Sequence, residues 1–135
     1  MAADERTKPQ VTGIRSFAYR VSVVLLFGCL IVQIYLAGQA ATVDGAMWQA
    51  HMDFVHIFSP LVLIVPVLAW VVRRTRLEKA LATSLPVLMF LQGASVHARD
   101  LAIAATWFPG FHAVGAMTLT LVTLCLAVMS LRTPD

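Results

Sequence analysis

Residues 47–76 read MWQAHMDFVHIFSPLVLIVPVLAWVVRRTR. Beyond Asp53 the side chains are almost all apolar, until the run meets Arg73, Arg74 and Arg76. An apolar stretch of about 20 residues that stops at a cluster of cations is read as a membrane-spanning helix. This one, placed at 47–72, is longer than a bilayer needs, so its first turn or two stand proud of the hydrocarbon. Pro60 and Pro66 each remove an internal hydrogen bond and are expected to kink it. His51, Asp53 and His56 lie at its mouth. Ionisable groups this close to lipid are expensive, and they are read as functional by default.

Working outward, residues 21–41 form a second apolar run. Gly38-Gln39-Ala40 would suit a signal-peptide cleavage site, but the run exceeds the roughly 7–15 apolar residues of a signal peptide. It is therefore taken as a membrane helix, joined to the next by a tight turn at Asp44-Gly45. Further helices are expected at 80–97 and 111–131. Residues 101–108 are too short to cross and are placed along the interface, with Trp107 at headgroup level. Pro109-Gly110 then breaks the chain. The fold class is an all-α, four-helix, up-down membrane bundle spanning residues 21–131, with tails at 1–20 and 132–135.

Arg6, Lys8, Arg15 and Arg20 precede the first helix, while Arg73, Arg74, Arg76 and Lys79 join the second to the third, and Arg132 follows the fourth. Arg99 alone stands on the other side. The positive-inside rule puts both termini and the central loop in the cytoplasm, and a bacterial cytoplasmic (inner) membrane is the expected location.

The totals agree. Of 135 residues 59% are hydrophobic and 13% charged, with mean hydropathy +0.81, against about 25% charged in soluble domains. The basic residues gather at helix ends with no aromatic platform among them, which excludes a nucleic-acid partner. Lipid is the expected partner. Cys29 and Cys125 fall inside apolar runs without CxxC spacing and are taken as small reduced core residues. No phosphate-cradling glycine loop, GxSxG or HExxH is present.

The two halves of the chain carry a weak repeat. Gln33 lies 13 residues after Arg20, and Gln92 lies 13 after Lys79. His51 follows Gln33 by 18 residues and His112 follows Gln92 by 20. Two parallel hairpins about an axis along the membrane normal would bring His51 and His112 to nearly equal depth, facing across the bundle. Facing neutral imidazoles suit an iron, and the cores of helix bundles are where such cofactors are built. His112, Gly115, Ala116, Thr120 and Thr123 share one face of the fourth helix, a small stripe that leaves room for a macrocycle. Close helix packing explains the same stripe without any ligand. Gln33 and Gln92 are read as interhelical glue in preference to contacts with a ligand.

His56 lies about 7.5 Å deeper than His51 and is turned about 140° from it, so both cannot serve one iron. His51 with His112 is the preferred pair, and His56 is the substitute ligand or a hydrogen-bonding group behind the ligands. Arg99 is assigned to haem propionates, with an interfacial anchor paired to Asp100 as the plainer role. His97 is placed at the interface. Asp53 is the candidate proton relay, set against a wetted carboxylate favoured by the helix dipole.

Val32-Gln33-Ile34-Tyr35-Leu36-Ala37-Gly38, Ala50-His51, Leu91-Gln92-Gly93 and Phe111-His112-Ala113-Val114-Gly115 resemble an uncharacterised family of small four-helix bacterial integral membrane proteins. The resemblance runs over most of the chain from Val21 onward and implies a fold. More distantly, Asp53-Phe54-Val55-His56 looks like the Glu-x-x-His of one four-helix half of haem A synthase. That resemblance nominates His56 as the ligand and implies a haem-modifying oxidase, although Ile57 stands where that family carries Arg.

The expected function is a small membrane protein binding haem b through two histidines. It would serve electron transfer, or act as a subunit of a membrane redox complex with other subunits or quinone as partners. A chlorophyll-type pigment would accept the same ligands. The competing expectations are a cofactor-free structural or accessory subunit and the haem-modifying oxidase with Asp53 as relay.

Overall fold

The computed structural model describes residues 8–97 and 108–132. Among these residues it contains four α-helices and no strand: α1 (Lys8–Thr42), α2 (Met47–Val71), α3 (Arg76–His97) and α4 (Phe108–Arg132). All four are long and apolar enough to cross a membrane. They run up and down in a ring, with α1 beside α2 and α4, and α3 beside α2 and α4. The α1/α3 and α2/α4 pairs are therefore the diagonals.

Three elements, α1, α3 and α4, start earlier than hydropathy alone places them. α4 begins at Phe108 and carries Pro109-Gly110 inside its first turn, where a proline costs no hydrogen bond, instead of being broken by that pair. α1 reaches back to Lys8, through residues read as tail. Pro9 falls in its first turn, where a missing N–H costs nothing, and the inward face continues without a break. Ser16, Tyr19, Val23, Leu26, Leu30 and Gln33 are all buried at helical spacing. α3 starts at Arg76 instead of near residue 80 because Thr75 and Glu78 form a capping box. The Thr75 hydroxyl accepts from the Glu78 N–H at 3.2 Å. The Glu78 carboxylate accepts from the Thr75 N–H at 3.2 Å and its hydroxyl at 2.9 Å.

The turn between α1 and α2 is closed by the Asp44 carboxylate, which accepts the Ala46 N–H at 2.9 Å. α2 continues through Pro60 and Pro66, and α3 through Pro86. Apart from Phe108, the first residue of α4, the segment assigned to the interface lies outside the described residues. So do Arg99, Asp100 and Trp107.

The core is thin and apolar: Leu26 and Leu30 meet Val62, Val65, Leu85, Leu119 and Leu126. Outside it, Ile57 and Phe90 are each 73% exposed, with other large apolar side chains around the bundle. Water would be a poor solvent for that surface, and lipid is a good one. Cys29 packs partly buried against the core, whereas Cys125 is exposed on the outer surface, so only one cysteine has the core position expected; both are free thiols.

The arginine-rich end holds a buried polar cluster. Arg73 takes a left-handed conformation (φ 58°) after α2, which turns the chain so that Arg74 points back toward α1. Its guanidinium donates to the Ser16 hydroxyl at 3.1 Å, lies 4.9 Å over the Tyr19 ring and stands 3.9 Å from the Glu78 carboxylate. Arg74 is 7% exposed and Glu78 fully buried.

Candidate functional site

At the opposite end, the two hairpins present the same arrangement twice. In the first, the His51 ring meets α1 at the Gln33 carbonyl, with Nδ1 3.2 Å from the oxygen. In the second, the His112 ring meets α3 at the Gln92 carbonyl, also with Nδ1 at 3.2 Å. A carbonyl oxygen only accepts, so each Nδ1 carries the proton of its hydrogen bond. In a neutral ring held this way, Nε2 is the nitrogen that carries the lone pair. The spacing repeat between glutamine and histidine is thus a structural repeat, made through the glutamine backbone.

The two rings come together across the α2/α4 diagonal. Their centroids are 6.4 Å apart and their planes inclined at 66°. Metal–imidazole bonds of about 2 Å on opposite sides of one metal, with the ring radii added, place centroids roughly 6–6.5 Å apart. The inclination is free, because each ring can turn about its own metal–nitrogen axis. On its outer side His51 is braced by the edge of Trp48, with centroids 5.5 Å apart.

The glutamine side chains differ. The Gln33 amide donates to the His51 carbonyl at 2.9 Å, which is the interhelical glue expected of it. Its Oε1 is buried without a hydrogen-bond partner, and so is Oε1 of Gln92. Buried acceptors are normally satisfied. Each hairpin therefore carries the same unsatisfied acceptor, a buried glutamine amide oxygen beside the histidine anchor.

Other residues of interest sit elsewhere. His56 is exposed on another face of α2, its carbonyl accepting from the Ser59 hydroxyl at 3.4 Å. His97 is exposed at the end of α3. Asp53 is exposed and accepts from the Gln49 amide at 2.8 Å. The structure brings His51 and His112 together and brings neither His56 nor Asp53 to them. Arg99 lies outside the described residues.

The small stripe of α4 is used mainly for packing. A methyl group on Gly115 would lie 3.5 Å from the Gln92 Cβ, so α3 and α4 approach closely there. The Thr120 and Thr123 hydroxyls donate to their own helix, to Ala116 and Leu119, both at 2.8 Å. Sequence reading did not find the carbonyl anchors of the two rings. Only the matching glutamine–histidine spacings hinted at them. It also passed over Trp48.

Residues 33–98 match the family model of a family of unknown function, DUF6220. The chain is similar to that family over just under half its length. The matched DUF6220 region begins at Gln33 and takes in His51 and Gln92, three of the four residues of the twin arrangement, while His112 falls beyond it. No curated protein and no solved structure matches the chain.

Proposed function

We propose that this protein binds haem b between His51 and His112 and serves electron transfer, alone or as a small subunit of a membrane redox complex. The observation that carries the reading is the twinned anchoring. Each ring is held through Nδ1 by a backbone carbonyl of the neighbouring helix, which orients Nε2 as a ligand and raises its basicity. The two rings are separated by the span of one bis-imidazole metal.

Haem, when bound, supplies a one-electron couple. His51 and His112 would hold it through their ring nitrogens, and the Gln33 and Gln92 carbonyls would orient the two rings. Ligation by both histidines would leave no position for dioxygen, which favours electron transfer over oxygen chemistry. The basic end faces the cytoplasm of a bacterial cell and the histidine pair lies toward the outer face of its cytoplasmic membrane. Arg99 is assigned to the propionates.

The close Gly115–Gln92 packing favours a second reading, a cofactor-free accessory subunit, in which His51 and His112 only tie the helices of each hairpin together.

Absorption spectroscopy of the detergent-purified chain separates the two. The haem reading gives a Soret band and a reducible α-band that are lost in His51→Ala and in His112→Ala but kept in His56→Ala. A colourless protein that takes up no added hemin, or a pigment indifferent to both substitutions, refutes it.

A further inference from the structure

The seam between α2 and α3 is the loosest of the four neighbouring contacts, and two open grooves lie along it. The first, of about 660 Å³, is at the basic end and is lined by Trp70, Arg76, Lys79, Ala80, Thr83 and Val87 among others. The second, of about 410 Å³, continues toward mid-bundle between Pro60 and Leu63 on α2 and Pro86, Met89 and Phe90 on α3. We infer that this seam is a binding site for one anionic phospholipid, with its phosphate at Arg76 and Lys79 and an acyl chain along the two grooves.

Three observations fit that occupant. The mouth is cationic: Lys79 is held 4.9 Å over the Trp70 ring. Among the described residues, no carboxylate pairs with Arg76 or Lys79. The mouth also offers a hydroxyl proton. Trp70 donates its indole N–H to the Thr83 hydroxyl at 3.3 Å, so that hydroxyl, already accepting, keeps its own proton for a phosphate oxygen. Finally, the length is right. From Lys79 to Phe90 the helical rise is about 16 Å, close to one leaflet of a hydrocarbon core about 30 Å thick. A membrane-facing groove with cations at one end and apolar walls one leaflet deep matches a lipid better than a soluble anion. The inference is independent of haem and of which side of the membrane the basic end faces.

The test uses the full chain with Trp48→Phe and Trp107→Phe, leaving Trp70 as the sole tryptophan. Its fluorescence is quenched by brominated phosphatidylglycerol or brominated phosphatidylcholine in mixed micelles. Phosphatidylglycerol should quench at the lower mole fraction. The preference should fall about fivefold for each cation removed, and vanish in Arg76→Gln/Lys79→Gln. Ala80→Phe, which fills the first groove and keeps both cations, should also lose it. Equal quenching by the two lipids overturns the inference, and so does a preference that survives Ala80→Phe, since that is surface attraction only. Millimolar inorganic phosphate should not displace the lipid, and displacement would assign the site to free phosphate instead. Circular dichroism confirms that each variant keeps its helices.

Discussion

Glu78→Leu should be among the most damaging single substitutions in this protein, although hydropathy places it in a polar loop. The carboxylate is fully buried. It accepts two hydrogen bonds from Thr75 and stands beside Arg74, itself 7% exposed. Removing it takes away the carboxylate half of the α3 capping box, worth about 1 kcal/mol, while the Thr75 hydroxyl still accepts the backbone N–H of residue 78. It also leaves a guanidinium buried with only the Ser16 hydroxyl and the Tyr19 ring for company. Breaking a buried pair by removing one partner costs about 3–5 kcal/mol. Arg74→Met should cost a similar amount by stranding the carboxylate. The double variant Arg74→Met/Glu78→Leu removes both charges and should cost little more than either single change, a coupling of about 3 kcal/mol. Reversible unfolding in mixed detergent and SDS micelles, followed by circular dichroism, measures all four corners of the cycle. Additive effects each below about 1 kcal/mol would mean that water or headgroups already solvate the pair and that it is not a buried ion pair.

Other substitutions probe the packing and the site. Gly115→Ala should be tolerated, because the new methyl meets Gln92 at an ordinary 3.5 Å and gains up to about 1 kcal/mol of helix propensity. Gly115→Leu should push α3 from α4 and weaken haem uptake in a hemin titration. Leu85→Ala, at a fully buried position, should lower the unfolding free energy by about 2–5 kcal/mol without shifting the Soret maximum. On the haem proposal, adding hemin to the purified chain should raise the thermal midpoint, since a group bound only by the folded state stabilises it by mass action. An unchanged midpoint would count against a bound cofactor.

What was legible in the sequence follows from which forces are local. Four apolar runs, each flanked by basic residues at one end, give four helices, because burying backbone in lipid leaves few alternatives. The paired spacings of Gln33 with His51 and Gln92 with His112 gave the repeat, since equal rise along antiparallel helices sets equal depth. The start of α3 was written in Thr75-Arg76-Leu77-Glu78, a capping-box pattern that hydropathy ignores. The Arg74 cluster was not legible. Its partners Ser16 and Tyr19 come from α1, and Arg74 and Ser16 are 58 positions apart. Charged residues in a four-residue turn look solvated until the fold closes over them. The same holds for the α2/α3 grooves, which depend on how far two helices stand apart. His51 and His56 were separated by angle alone, and the fold resolves them: one ring faces the diagonal and the other faces outward.

Electron paramagnetic resonance of the oxidised, hemin-loaded protein asks most directly whether His51 and His112 share one iron. Shared ligation gives a low-spin ferric signal in the full chain, converted to high spin or lost in His51→Ala and in His112→Ala alike. A high-spin signal in the unaltered chain, or a low-spin signal that persists in either variant, would contradict it.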